Sequence, residues 1–90
     1  MKIQKTVYVK NNLGLHIRPA AAIVKLLQPY KSEVLFTHNN ETVNARSVMS
    51  LLVLTAKKNE KIIITVEGED AKETMQGLIC AFEKHFGESL

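Results

Sequence analysis

One stretch of this chain sets an imidazole and a guanidinium two residues apart at what reads as the start of a helix: Gly14-Leu15-His16-Ile17-Arg18-Pro19-Ala20. A neutral imidazole is a nucleophile, and an unperturbed one titrates near pH ~6.5. Pro19 belongs in a first helical turn, where its missing N–H has no partner to lose, and so it marks where the helix begins. The amides of that turn lack carbonyl partners and lie at the positive end of the macrodipole, which makes the terminus an anion site. The chemistry that fits is receipt of a phosphoryl group on His16, with Arg18 and the helix terminus stabilising the added charge. The terminus contributes roughly 0.3–2 kcal/mol, a grip loose enough for a group that must be passed on.

The other reactive side chains carry weaker signals. His38 and His85 read as surface or satisfied core histidines. Gly14 stands alone, with no glycine-rich phosphate loop and no Walker pattern. No Asp or Glu occurs between Met1 and Glu33, so an acid–histidine dyad must be assembled in space if it exists. Cys80 is the single cysteine, which rules out an intramolecular disulfide, fits a reducing cytosol and reads as helix packing. Without CxxC or HxxxH spacing, neither a metal site nor a cofactor is expected.

Elements must position His16, and 90 residues suffice for one domain, 1–90, with one core. A composition of 46% hydrophobic and 23% charged residues is that of an ordinary globule. The net charge of +3 is too small to argue for nucleic acid, and no basic run exceeds Lys57-Lys58. No apolar leader core is visible and no segment approaches the ~20 apolar residues of a membrane span. The expectation is a cytoplasmic monomer that binds neither nucleic acid nor membrane.

Lys2 to Val9 alternates as a half-buried strand, and Asn11-Asn12 with Gly14 marks a loop. Ala20, Ile23, Val24 and Leu27 then trace a helix that stops before Pro29. Val34 and Phe36 alternate toward Asn39-Asn40, a pair suited to a two-residue hairpin into Glu41–Asn44. Ser47 stands at an N-cap position ahead of a short apolar helix. Lys61-Ile62-Ile63-Ile64-Thr65-Val66 is a strand, β-branched almost throughout. Asp70 and Glu73 have capping-box spacing, ahead of a stripe from Ala71 to Phe86 that Gly87 closes. The order βαββαβα predicts an α+β domain, an antiparallel sheet with helices on one face.

Gly14 to Ala20 resembles, at every position, the active-site signature of the HPr family of phosphocarrier proteins. Ser47-Val48-Met49-Ser50-Leu51-Leu52 resembles that family's regulatory-serine helix, and the resemblance extends over essentially the whole chain. It implies an open-faced β-sandwich of four antiparallel strands covered on one face by three helices. It implies a carrier of the phosphoenolpyruvate-dependent sugar phosphotransferase system rather than an enzyme, loaded by enzyme I and unloaded by an enzyme IIA domain. By the same implication His16 is phosphorylated through Nδ1 and Arg18 is its electrostatic partner. Ile17, Ala21, Val48, Met49 and Leu52 match docking positions. Ser47 matches the serine used by HPr kinase/phosphorylase, although Arg46 stands where lysine is common and Ser50 where well-regulated members have glycine.

Two further readings compete. The Ser47–Leu54 run and Phe86-Gly87-Glu88 look somewhat like the nitrogen-related paralogue, which feeds a regulatory chain. From another class, a small RNA-binding α+β domain needs aromatic platforms on its strands, and only Tyr8 and Phe36 qualify here. For the helix after Ser47, the expectation is Leu51 inside, with Val48 and Met49 partly outside.

Overall fold

The computed structural model describes residues 1–88. In chain order its elements are β1 (Lys2–Tyr8), α1 (Ile17–Leu27), β2 (Glu33–His38), β3 (Glu41–Asn44), α2 (Val48–Val53), β4 (Lys61–Glu67), α3 (Ala71–Glu83) and a turn at His85–Gly87. The strands form one sheet in the order β1-β4-β2-β3, antiparallel throughout. The four-stranded open sheet with three helices is the expected architecture.

Residue periodicity explains the layering. Along β4, Ile62, Ile64 and Val66 are buried while Lys61 and Glu67 are exposed. Val34 and Phe36 of β2 extend the same apolar face, because side chains alternate across a strand with period two. Onto it pack Ala20, Ile23 and Leu27 of α1, Leu51 of α2, and Met75, Leu78 and Phe82 of α3, all in one core. Burying a Leu or Phe in such a core contributes about 1.5–3 kcal/mol. Phe36 therefore belongs to the core, and Tyr8 is the one strand aromatic left exposed, which removes the stacking platform an RNA-binding sheet requires.

Asn39 and Asn40 adopt φ of 50° and 67° in the β2–β3 hairpin, with His38 opposite Glu41. Two consecutive positive φ values match a type I′ turn. Arg46 closes the far end of α1. Its guanidinium donates to the carbonyls of Leu27, Tyr30 and Ser32 at 2.8, 2.7 and 2.9 Å, satisfying acceptors that a helix terminus leaves over.

Three local expectations are corrected. The capping box does not form: Asp70 is the N-cap of α3 but makes no side-chain cap bond. Its carboxylate instead accepts from the amides of Lys31 and Ser32 at 2.8 and 3.0 Å and from the Ser32 hydroxyl. Those bonds, the hydroxyl's above all, hold the Asp70 carboxyl down to about 2. α3 ends at Glu83 rather than running to Gly87, because His85 and Phe86 turn left-handed, both at φ 54°. Cys80, expected to pack, is exposed.

A histidine at a helix terminus

The loop before α1 is shaped by one glycine. Gly14 has φ 70°, and a Cβ there would run into the carbonyl oxygen of Ala56. The following amide, Leu15, donates to that same carbonyl at 2.9 Å. The backbone thus passes close against Ala56, and the chain enters α1 from a fixed direction. His16 is the N-cap, at φ −84° and ψ −170°, and its carbonyl accepts from Ala20 N–H at 3.1 Å. Pro19 is buried in the first turn, as its chemistry requires.

The His16 side chain makes no cap hydrogen bond. Its Nε2 lies 3.1 Å from Oε1 and 3.0 Å from Oε2 of Glu88, a residue 72 positions away in sequence. Arg18 is 79% exposed and its Nε stands 3.7 Å from Glu88 Oε2. Asn11, 1% exposed, donates through Nδ2 to Glu88 Oε1 at 2.6 Å and to the His85 carbonyl at 3.1 Å. Both partners can only accept, so the amide orientation is fixed with nitrogen toward them. The Glu88 carboxyl is held below the usual carboxylate range, first by the Asn11 bond, against the cost of desolvation, and then by His16 and Arg18.

The tail that delivers Glu88 is a left-handed turn, with φ of 54° at His85, 54° at Phe86 and 78° at Gly87. Non-glycine residues enter this region at a cost of order 1 kcal/mol each, and they stay there only where surroundings hold them. Here Phe86 packs edge-on to Phe82, centroids 4.8 Å apart, and Asn11 holds the His85 carbonyl.

His16 and Arg18 thus lie together, one at the N-cap and one in the first turn of α1. Of the residues expected to dock partners, Ile17 is 62% and Met49 73% exposed, Ala21 is exposed, and Val48 and Leu52 are half-buried. They occupy α1 and α2, which pack against each other, and Leu51 is buried as expected. Leu13 and Val53, not expected, are also exposed apolar residues. Ser47 caps α2, its hydroxyl accepting from Ser50 N–H at 3.2 Å. Sequence reasoning missed Glu88 and Asn11. The signal for Glu88 was slight: an acidic residue just after Gly87, with nothing to say that the chain turns back.

Fold and site together define a small open-faced α+β protein with a histidine at a helix N-terminus. A family model described as "PTS HPr component phosphorylation site" matches residues 3–84, and the chain belongs to the HPr family of phosphocarrier proteins of the phosphotransferase system. It is 39% identical over 87 residues to phosphocarrier protein HPr of Chlamydia pneumoniae, spanning 97% of this chain and 81% of that one. It is 37% identical over 89 residues to phosphocarrier protein NPr of Klebsiella oxytoca, spanning 98% and 99%. The crystal structure of HPr from Thermoanaerobacter tengcongensis superposes with a TM-score of 0.92 at 33% identity, over 98% of this chain and 99% of that one. Among the described residues no helix is long and apolar enough to cross a membrane.

Proposed function

We propose that His16 carries the phosphoryl group of this phosphocarrier, bonded through Nδ1, with Arg18 stabilising its charge. The observation that carries the reading is the ring's station: at the N-cap of α1, with Nε2 against Glu88 and Nδ1 unused by the cap. The Nδ1 lone pair attacks phosphorus, the N–P bond forms, and the bond to the donor breaks with its electron pair leaving on the donor. The transferred oxygens then lie near the amides of the first turn and the Arg18 guanidinium, both suited to a dianion. Transfer onward reverses the sequence toward the acceptor.

Enzyme I is the donor and an enzyme IIA domain of a sugar phosphotransferase system the acceptor. The chain is one domain, 1–90, a cytoplasmic monomer that is itself the substrate of its partners and not a turnover catalyst. It uses no metal or cofactor. Ile17, Ala21, Val48, Met49 and Leu52 form the docking surface, a reading supported by the exposure of Ile17 and Met49. Ser47 is a regulatory phosphorylation site for an HPr kinase/phosphorylase where the organism has one. A phosphate there adds about −1.5 to −2 charges beside the docking helix. A second reading, favoured by the likeness to NPr over nearly the full length, places the carrier in the nitrogen-related regulatory chain.

The test is phosphate transfer from phosphoenolpyruvate with enzyme I of the same genome. The wild-type chain acquires acid-labile, base-stable label, and His16→Ala acquires none. Label retained by the variant contradicts the assignment. Chasing the label with each enzyme IIA of that genome separates the sugar chain from the nitrogen-related one.

A further inference from the structure

We infer that Glu88 is a positioning residue for phosphoryl transfer: its side-chain carboxylate, steered by Asn11, holds the His16 proton on Nε2 and so leaves the Nδ1 lone pair free to attack. The inference rests on His16 being the phosphoryl acceptor.

An imidazole with one ring nitrogen facing a carboxylate keeps its proton on that nitrogen, because the carboxylate can only accept. Both Glu88 oxygens lie within 3.1 Å of His16 Nε2. Nδ1 is then the unprotonated nitrogen, and no cap bond to the helix engages it. When Nδ1 bonds to phosphorus, the proton stays on Nε2 and the ring becomes a phosphorylated imidazolium. Its positive charge is matched by the Glu88 carboxylate. When the group is passed on, the N–P bond breaks, the electron pair returns to Nδ1, and the ring leaves as neutral imidazole without a proton having moved.

The chain invests structure in this contact at three places. His85 and Phe86 accept left-handed backbone to turn the tail toward His16. A buried Asn11 side chain grips both the turn, through the His85 carbonyl, and the carboxylate itself. Arg18, 3.7 Å from Glu88 Oε2, adds a third positive or donating neighbour. Left-handed backbone in the tail combined with a buried amide directed at the carboxylate that faces a partly exposed histidine is the pattern of a built site rather than a frayed terminus.

The experiment combines ring ¹⁵N NMR of the unphosphorylated chain with single-turnover loading by enzyme I. In the wild type, His16 shows a protonated Nε2 and an unprotonated Nδ1. Glu88→Ala moves both ring signals toward tautomer averaging and slows loading about tenfold or more, the scale of one lost charge-assisted hydrogen bond. Glu88→Gln, whose carbonyl still accepts from Nε2, keeps the tautomer but loads more slowly than wild type. Asn11→Ala shifts the ring signals in the same direction as Glu88→Ala. A wild-type ring protonated on Nδ1, or a Glu88→Ala chain with unmoved ring signals, overturns the proposal. Unmoved loading in Glu88→Ala also overturns it. Absence of label on wild-type His16 overturns the carrier assignment instead, while the ring signals still judge Glu88 on their own.

Discussion

Two histidines in this chain meet a glutamate through Nε2 at 3.0 Å, His16 with Glu88 and His38 with Glu60. His38 is buried at the end of β2. Its glutamate also accepts from Lys57 N–H at 2.7 Å, and that bond is the first cause of a lowered Glu60 carboxyl. The second pair therefore pins the polar turn before β4 to the sheet. The first pair lies at a helix N-terminus, beside an exposed guanidinium, with its ring partly open to solvent. The same two side chains at the same distance thus hold a turn in one place and, under the proposal above, position a reactive nitrogen in the other. What separates them is access, a ring 25% exposed at a helix N-terminus against one 6% exposed at a strand end, not the pair itself.

Truncating each histidine in turn separates the two pairs by the largest expected effect. His16→Ala is expected to abolish loading with little change in thermal stability, since the ring is partly exposed. His38→Ala is expected to load normally once folded but to lose about 1–3 kcal/mol, from a buried hydrogen bond removed and a packed ring deleted. Loss of loading by a folded His38→Ala chain would make the two pairs functionally alike and undo the distinction.

A smaller effect sharpens what access means. Met49→Glu is expected to weaken enzyme I binding tenfold or more, about 1.4 kcal/mol, with an unchanged melting temperature. Met49 is 73% exposed, so it has little packing to lose. Unfolding of the variant would instead move Met49 into the core. The smallest effect concerns Ser47. Ser47→Ala removes a cap and is expected to cost about 1 kcal/mol, whereas Ser47→Asp keeps a good cap and slows loading by adding charge near the docking helix. Equal loading rates in both leave Ser47 as a cap alone.

Elements were legible wherever local chemistry decides them. The β-branched run at Ile62–Val66, the paired asparagines and Pro19 each act over a few residues, and each lies where its type predicts. His16 and Arg18 were legible for the same reason. The losses are long-range. Asp70 has the right neighbours for a capping box, but Lys31 and Ser32 offer amides that local spacing cannot foresee. The helical stripe continues through Phe86, yet the backbone reverses at His85 because Phe86 finds Phe82 and Asn11 finds the His85 carbonyl. Glu88 was hidden for that reason: its partner is 72 residues away, and no periodicity spans such a gap.

On the proposed function, the phosphoryl group resides on one nitrogen of one histidine. Loading the ¹⁵N-histidine-labelled chain with enzyme I and phosphoenolpyruvate, then recording ³¹P–¹⁵N coupling, tests it directly. A single coupled nitrogen is expected, Nδ1 of His16, with His38 and His85 unperturbed. Coupling to Nε2 of His16, or to either other histidine, would contradict it.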